Sequence, residues 1–162
     1  MKGNHKVLFV CLGNICRSPA AEGIFRKMVE DRGMSSCFEI DSAGTYGGHA
    51  GQLPDARMRA AASRRGYTLT HRSRKLTDDD FMHFDMVVVM DDSNYERACR
   101  IAPDRESQGK LYRMTDFRRN YLWDHIPDPY YEGAEGFELV LDLLEDSLQG
   151  LLDHLCLAES EG

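Results

Sequence analysis

Hydrophobic positions along the chain fall into short unbroken runs that alternate with stretches of helical spacing. The first run closes on Val7-Leu8-Phe9-Val10 and predicts a strand over His5 to Val10, buried on both faces because no polar residue interrupts those four positions. A loop holding Gly13 follows, then Ser18-Pro19, where serine suits a helix N-cap and proline the first helical position. Residues 19 to 32 place Ala21, Ile24, Phe25 and Met28 at i, i+3, i+4 and i+7, and Gly33 is the expected stop.

The same alternation continues downstream. A second strand is predicted at Phe38 to Asp41 and a helix from Pro54 to Arg65, with Met58, Ala61 and Ala62 on one face. Thr77 caps a short helix opened by three aspartates, which are favourable at its positive end. Met86 to Met90 reads as the third strand, Asn94 to Ala102 as a helix, and Lys110 to Met114 as the fourth strand. Gly136 to Leu157 forms a long amphipathic helix with Phe137, Val140, Leu141, Leu144, Leu148, Leu151, Leu152 and Leu155 on one stripe. Strands alternating with helices predict an α/β domain in three layers, a four-stranded parallel sheet covered on both faces. One domain is expected over 1–157, followed by a frayed tail at 158–162.

Composition narrows the function classes. No apolar run approaches the roughly 18 residues of a membrane span, and the first strand is too short for a signal-peptide core, so neither membrane insertion nor secretion is expected. The five cysteines are an odd number without a Cys-x-x-Cys pair, which argues for a reducing, cytoplasmic setting rather than a disulfide framework. The six histidines lack metal-ligand spacing, so no metal and no cofactor are predicted. Residues 1–75 carry a charge of +7 and residues 76–162 a charge of −14. The basic half lacks the interleaved aromatics of a nucleic-acid platform, and no such partner is expected.

The chemistry concentrates between Cys11 and Ser18. Cys-x5-Arg is a weak pattern, and Cys99 with Arg105 repeats it inside a predicted helix and across Pro103. At Cys11, however, a buried strand ends, Gly13 and Asn14 are able to take positive φ, and a helix N-terminus points back at the loop. The N–H groups of Leu12, Gly13, Asn14, Ile15 and Cys16, together with Ser18, are predicted to ring a phosphate dianion. The same dipoles and the Arg17 guanidinium favour the nucleophilic thiolate of Cys11. Arg17 grips two phosphate oxygens, and Ser18 hydrogen-bonds the sulfur.

Val10-Cys-Leu-Gly-Asn-Ile-Cys-Arg-Ser-Pro19 resembles the active-site loop of the low-molecular-weight protein tyrosine phosphatases. Asp41-Ser-Ala-Gly-Thr45, Pro54-Asp-Ala-Arg57, His71, Phe84-Asp85, Met90-Asp91 and Asp128-Pro-Tyr-Tyr131 resemble that family's other landmarks, in order. The expected fold is accordingly the flavodoxin-like strand order 2-1-3-4. The residues alone do not rank Asp116, Asp124 and Asp128 as a proton donor; the resemblance implies Asp128. It also implies that Asn14, Ser42 and His71 support the loop, that Tyr130 and Tyr131 wall the pocket, and that Cys16 forms a reversible disulfide with Cys11. The implied substrate is a tyrosine-phosphorylated protein or a small aryl phosphate, hydrolysed by a chain expected to be monomeric.

The resemblance has one departure: many members carry an aromatic residue immediately before the position of His49, and here that residue is Gly48. Tyr46 or His49 is then the candidate for that wall. Competing activities on similar loops are arsenate reduction, arginine dephosphorylation and a non-hydrolytic phosphocysteine carrier. Met90 in place of a relay cysteine, Ile15 in place of threonine, and Asp128 speak against them in turn.

Overall fold

The computed structural model describes the backbone of residues 4–161 and the side chains of residues 4–157. Four parallel strands, β1 (His5–Cys11), β2 (Phe38–Gly44), β3 (Met86–Val89) and β4 (Leu111–Arg113), form one sheet in the order β2-β1-β3-β4. Between them run α1 (Arg17–Asp31), α2 (Ala56–Arg64), α3 (Asp78–His83), α4 (Asp92–Ile101) and α5 (Arg105–Gln108), and α6 (Ala134–Glu161) follows the last strand. The sheet order and the helices around it are those expected from the sequence.

Alternation along β1 and β3 explains their unbroken apolar character. Val7, Phe9 and Cys11, with Met86 and Val88, belong to the core beneath α1, α2 and α6. Leu8 and Val10, with Val87 and Val89, belong to a second core shared with Phe81, Phe84 and Ala98 of the α3 and α4 side. Each strand therefore buries both pleats, and a polar residue at any of these positions would lie in one core or the other.

Boundaries differ from the sequence expectation where polar residues belong to elements. β2 continues past Asp41 to Gly44, because Ser42, Ala43 and Gly44 pair with Phe9, Val10 and Cys11. α1 begins at Arg17 with Cys16 at the N-cap, so Ser18 does not cap the helix and Pro19 is its third residue rather than its first. Proline is still tolerated there, since first-turn N–H groups have no intrahelical acceptor. Asp55 is the N-cap of α2, accepting from Arg57 N, and Thr77 with Asp80 forms a capping box on α3. The short α5, capped by Asp104, carries no apolar periodicity and escaped the sequence reading. α6 has helical backbone through Glu161, extending over positions set apart as a tail; Gly162 lies outside the described residues.

α6 packs closely against the 3-10 turn Met114–Phe117. A Cβ at Gly150 would stand 1.9 Å from the carbonyl oxygen of Phe117. Alanine at an ordinary helical position gains about 1 kcal/mol over glycine, but here the overpacking cost of roughly 1–3 kcal/mol opposes it. Gly150→Ala should therefore lower the urea midpoint of unfolding; a raised midpoint would contradict the packing.

Candidate active site

The carboxyl end of β1, which lies between β2 and β3 where the chain's connections leave in opposite directions, opens onto one cavity of about 220 Å³. A switch point of this kind is where open parallel sheets bind ligands. Cys11, Leu12, Gly13, Ile15, Cys16 and Arg17 line it from the loop, and Tyr46, His49, Asp128, Tyr130 and Tyr131 complete it. Asp128 thus reaches the space of Cys11 and Arg17 from a position far along the chain.

One loop expectation needs correction. Asn14 adopts φ 56°, but Gly13 does not take a positive φ. Gly13 instead provides close approach, since a Cβ there would stand 3.0 Å from Cδ2 of His49. The side chains of Asn14 and Ser18 are buried and do not line the cavity. Among the described residues the backbone N–H groups of positions 12 to 17 donate to no carbonyl or side chain. The turn has directed them away from the fold's own acceptors, an arrangement suited to an anion.

Behind the loop, Asn14 joins the sulfur to the rest of the protein. Its Nδ2 donates to Ser18 Oγ (2.7 Å) and Ser42 Oγ (3.1 Å), while its Oδ1 accepts from Arg74 N (3.1 Å) and lies 2.9 Å from His71 Nε2. Ser18 Oγ lies 3.0 Å from Cys11 Sγ, and Ser18 N donates to the same sulfur at 3.4 Å. With Asn14 filling an acceptor site on Ser18 Oγ, the hydroxyl hydrogen is shared between the sulfur and the more distant Ala43 carbonyl oxygen at 3.4 Å. The sequence pattern had missed Glu22, which accepts from Ser42 Oγ (2.7 Å) and lies 3.2 Å from His71 Nδ1. Its signal was its i, i+4 spacing from Ser18 on α1. Glu22, Asp41 and His71 bring three metal-type ligand atoms within 4.8 Å, but Ser42, Arg26 and Arg74 already occupy the carboxylates.

Arg17 is buried and held in place by groups other than a substrate. Its Nη1 donates to Asp91 Oδ2 (2.6 Å) and to the carbonyl oxygen of Ile126 (3.0 Å), and its Nη2 lies 3.8 Å from Asp128 Oδ2. Burial works against its charge, yet Cys11, Asp91 and Asp128 more than offset this and raise its pKa above the usual arginine value. Asp91 entered the sequence reading only as a landmark. Its position after β3, beside the end of β1, was the available signal, and it also caps α4 by accepting from Asn94 N.

Asp128 is exposed at the cavity and accepts from Tyr130 N at 3.0 Å. The rival carboxylates lie elsewhere: Asp116 accepts from Arg113 N, and Asp124 lies 2.8 Å from His125 Nδ1. Arg57 braces the neighbouring wall. It forms two hydrogen bonds to Asp55 (3.0 and 2.9 Å), and its guanidinium stands 5.4 Å from the centre of the Tyr130 ring and 4.8 Å from that of Phe137. Asp55 N in turn donates to Ile15 O at 2.8 Å, linking that brace to the loop. Cys16 is buried, and burial, followed by Asp55 and Cys11, pushes its thiol pKa far upward, so it is a neutral thiol.

Residues 6–160 match the family model for low molecular weight phosphotyrosine protein phosphatase. A low molecular weight phosphotyrosine protein phosphatase of Schizosaccharomyces pombe is 41% identical, the match covering 96% of this chain and 99% of the relative. A low molecular weight protein-tyrosine-phosphatase of Streptomyces coelicolor is 39% identical over 91% and 92% of the two chains. The crystal structure of a protein tyrosine phosphatase from Entamoeba histolytica, with Hepes in its active site, superposes with a TM-score of 0.93 at 40% identity and covers 96% of this chain and 99% of its own. With sequence and fold in agreement over nearly the whole length, the chain belongs to the low molecular weight phosphotyrosine protein phosphatase family.

Proposed function

We propose that the protein hydrolyses phosphotyrosine-type aryl phosphate monoesters through a cysteinyl-phosphate formed on Cys11. The observation that carries this reading is the meeting of Cys11, Arg17 and Asp128 at one cavity. A phosphoryl group gripped by Arg17 and the loop N–H groups has its phosphorus before Cys11 Sγ. As the S–P bond forms, the P–O bond to the phenol breaks, and Asp128 gives its proton to the departing oxygen. Charge spreading over the equatorial oxygens meets donors already oriented, because Asp91 and Ile126 fix Arg17 before any substrate arrives.

In the second half, Asp128 accepts a proton from water attacking phosphorus, and the sulfur leaves as thiolate. The Ser18 hydroxyl and N–H stabilise that leaving group. Leu12, Ile15 and Tyr130 give the cavity apolar surface for an aromatic ring. Ile15 there offers nothing polar to a guanidinium phosphate. Met90 is fully buried, and Cys99 packs into the α3 and α4 core, so neither supports a reductase relay.

Cys16 is proposed to protect the nucleophile. Peroxide converts the Cys11 thiolate to a sulfenic acid; the Cys16 thiol displaces hydroxide, a disulfide and water result, and an external thiol restores both groups. As a neutral thiol, Cys16 does not compete for the oxidant. We place the protein in a reducing cytoplasm, where its five free cysteines persist as thiols. Among the described residues, no helix is long and apolar enough to cross a membrane. The proposed substrate is a tyrosine-phosphorylated protein or small aryl phosphate, turned over by a monomer.

Three outcomes check this reading. Cys11→Ser should abolish turnover of phosphotyrosine and p-nitrophenyl phosphate in steady-state assays, and retained activity would reject the nucleophile. Asp128→Asn should lower kcat for phosphotyrosine by about 10²–10⁴-fold, and by less for p-nitrophenyl phosphate, whose leaving group is a weaker base. An equal loss on both would remove Asp128 as the acid. After peroxide treatment, Cys16→Ser should not recover activity with dithiothreitol, whereas the unsubstituted protein should; equal recovery argues against the disulfide.

A further inference from the structure

Charge is unevenly matched in the segments that surround the phosphate loop. From Ser42 to Leu76 the chain carries seven arginines and lysines against one carboxylate, Asp55. Four of the seven meet carboxylates: Arg57 on Asp55, Arg64 and Arg65 on residues of α6, and Arg74 on Asp41 and Asp80. The other three take no carboxylate among the described residues. Arg59 Nε donates instead to Pro54 O (2.9 Å) and Arg72 Nη1 to Gly51 O (2.9 Å), while the stem of Lys75 lies 3.5 Å from where a Cβ on Gly47 would stand. A backbone carbonyl steadies a guanidinium without neutralising it.

These three cations sit on segments bonded to the phosphate loop. Ser73 Oγ donates to Gly13 O (2.9 Å) and Arg74 N to Asn14 Oδ1 (3.1 Å), so the two residues between Arg72 and Lys75 are tied directly to the loop. Arg59 lies one turn into α2, whose N-cap Asp55 donates its N–H to Ile15 O (2.8 Å). Gly47, Gly51 and Pro54, against which the three cations rest, belong to the loop that brings Tyr46 and His49 to the cavity. That loop supplies no compensating charge, since residues 42–54 contain no carboxylate, and Asp55 has both oxygens committed to Arg57. Arg72 and Lys75 are exposed and Arg59 is half-buried, so an arriving anion has access to all three.

A phosphotyrosine seated on Arg17 carries its own chain over this rim. An extended peptide advances about 3.3 Å per residue, so positions one to three residues from the phosphotyrosine lie within reach of side chains as long as arginine and lysine. We propose that Arg59, Arg72 and Lys75 form a cationic rim that selects phosphotyrosine flanked by acidic residues, the substrate's carboxylates supplying the counter-ions that the fold withholds. The proposal rests on the phosphatase reading of the cavity. It narrows the substrate class to tyrosine-phosphorylated proteins with acidic surroundings, and it gives the basic charge of this part of the chain a function at the site.

The test measures kcat/KM for two phosphotyrosine peptides that differ only in carrying glutamates or glutamines on both sides of the phosphotyrosine. At low salt the unsubstituted protein should favour the glutamate peptide by roughly eight- to thirtyfold, as three exposed ion pairs of modest strength would give, and high salt should shrink that preference. Arg59→Gln, Arg72→Gln and Lys75→Gln should each lower it by about two- to threefold, and the triple variant should bring it to parity. Arg72→Lys, which keeps the charge, should retain it. Arg64→Gln removes the same formal charge from a cation already paired with Glu138, and should leave the preference intact. Should the triple variant lose turnover of p-nitrophenyl phosphate, and with it the cavity, the three single variants decide. No preference in the unsubstituted protein, a preference that survives these substitutions, or an equal loss in Arg64→Gln would overturn the proposal and leave the phosphatase reading standing. If the unsubstituted protein dephosphorylates neither peptide, that reading falls instead.

Discussion

A buried guanidinium, Arg17, beside the sulfur of Cys11 is the constraint around which the rest of the site is arranged. A cation with only 3% of its side chain exposed is costly unless charged partners meet it. Asp91 from the end of β3 and the Ile126 carbonyl meet it directly, and Cys11 is among the groups that favour its charge. These partners come from three separated parts of the chain. The sheet order that sets β3 against β1 is therefore a requirement of the charge balance as well as of the hydrophobic core. Removing any of them would leave a charge short of compensation inside the protein, a larger penalty than losing an exposed ion pair.

The arrangement divides labour between two sides of the loop. On the cavity side lie Arg17 and a loop whose N–H groups, among the described residues, have no acceptor in the fold, the place proposed for the phosphate. On the buried side, Asn14 holds Ser18 and Ser42, and Glu22, His71 and Arg74 hold Asn14 in turn. Asn14 must enter the left-handed region to make this turn, a conformation asparagine tolerates better than most residues. The strain of the loop is thus offset by hydrogen bonds that never touch substrate. Ser18 belongs to this rear network and not to the helix cap, which explains how a residue inside the first turn of α1 reaches the sulfur.

The fold was legible because its information is local: unbroken apolar pairs of pleats in β1 and β3, and helical stripes between them. Cys11, Arg17 and the loop were legible for a related reason, since strand, turn and helix start occupy consecutive residues. Asp128 was not, because any of three aspartates satisfied the local pattern and only the family resemblance singled one out. The role of Asp91, and Glu22 altogether, were not legible because they arise from contacts across 74 and 20 residues of sequence. Gly13 was misjudged for the opposite reason: its conformation is ordinary, and what requires glycine is the His49 ring brought against it by a later loop.

The most direct measurement of the account is the fate of phosphorus during turnover. Rapid acid quenching of the enzyme with ³²P-labelled phosphotyrosine peptide, followed by peptide mapping, should place a transient label on the fragment containing Cys11 as a thiophosphate ester. A label on a different residue, or turnover with no labelled enzyme under conditions where hydrolysis of the cysteinyl-phosphate is rate-limiting, would contradict it.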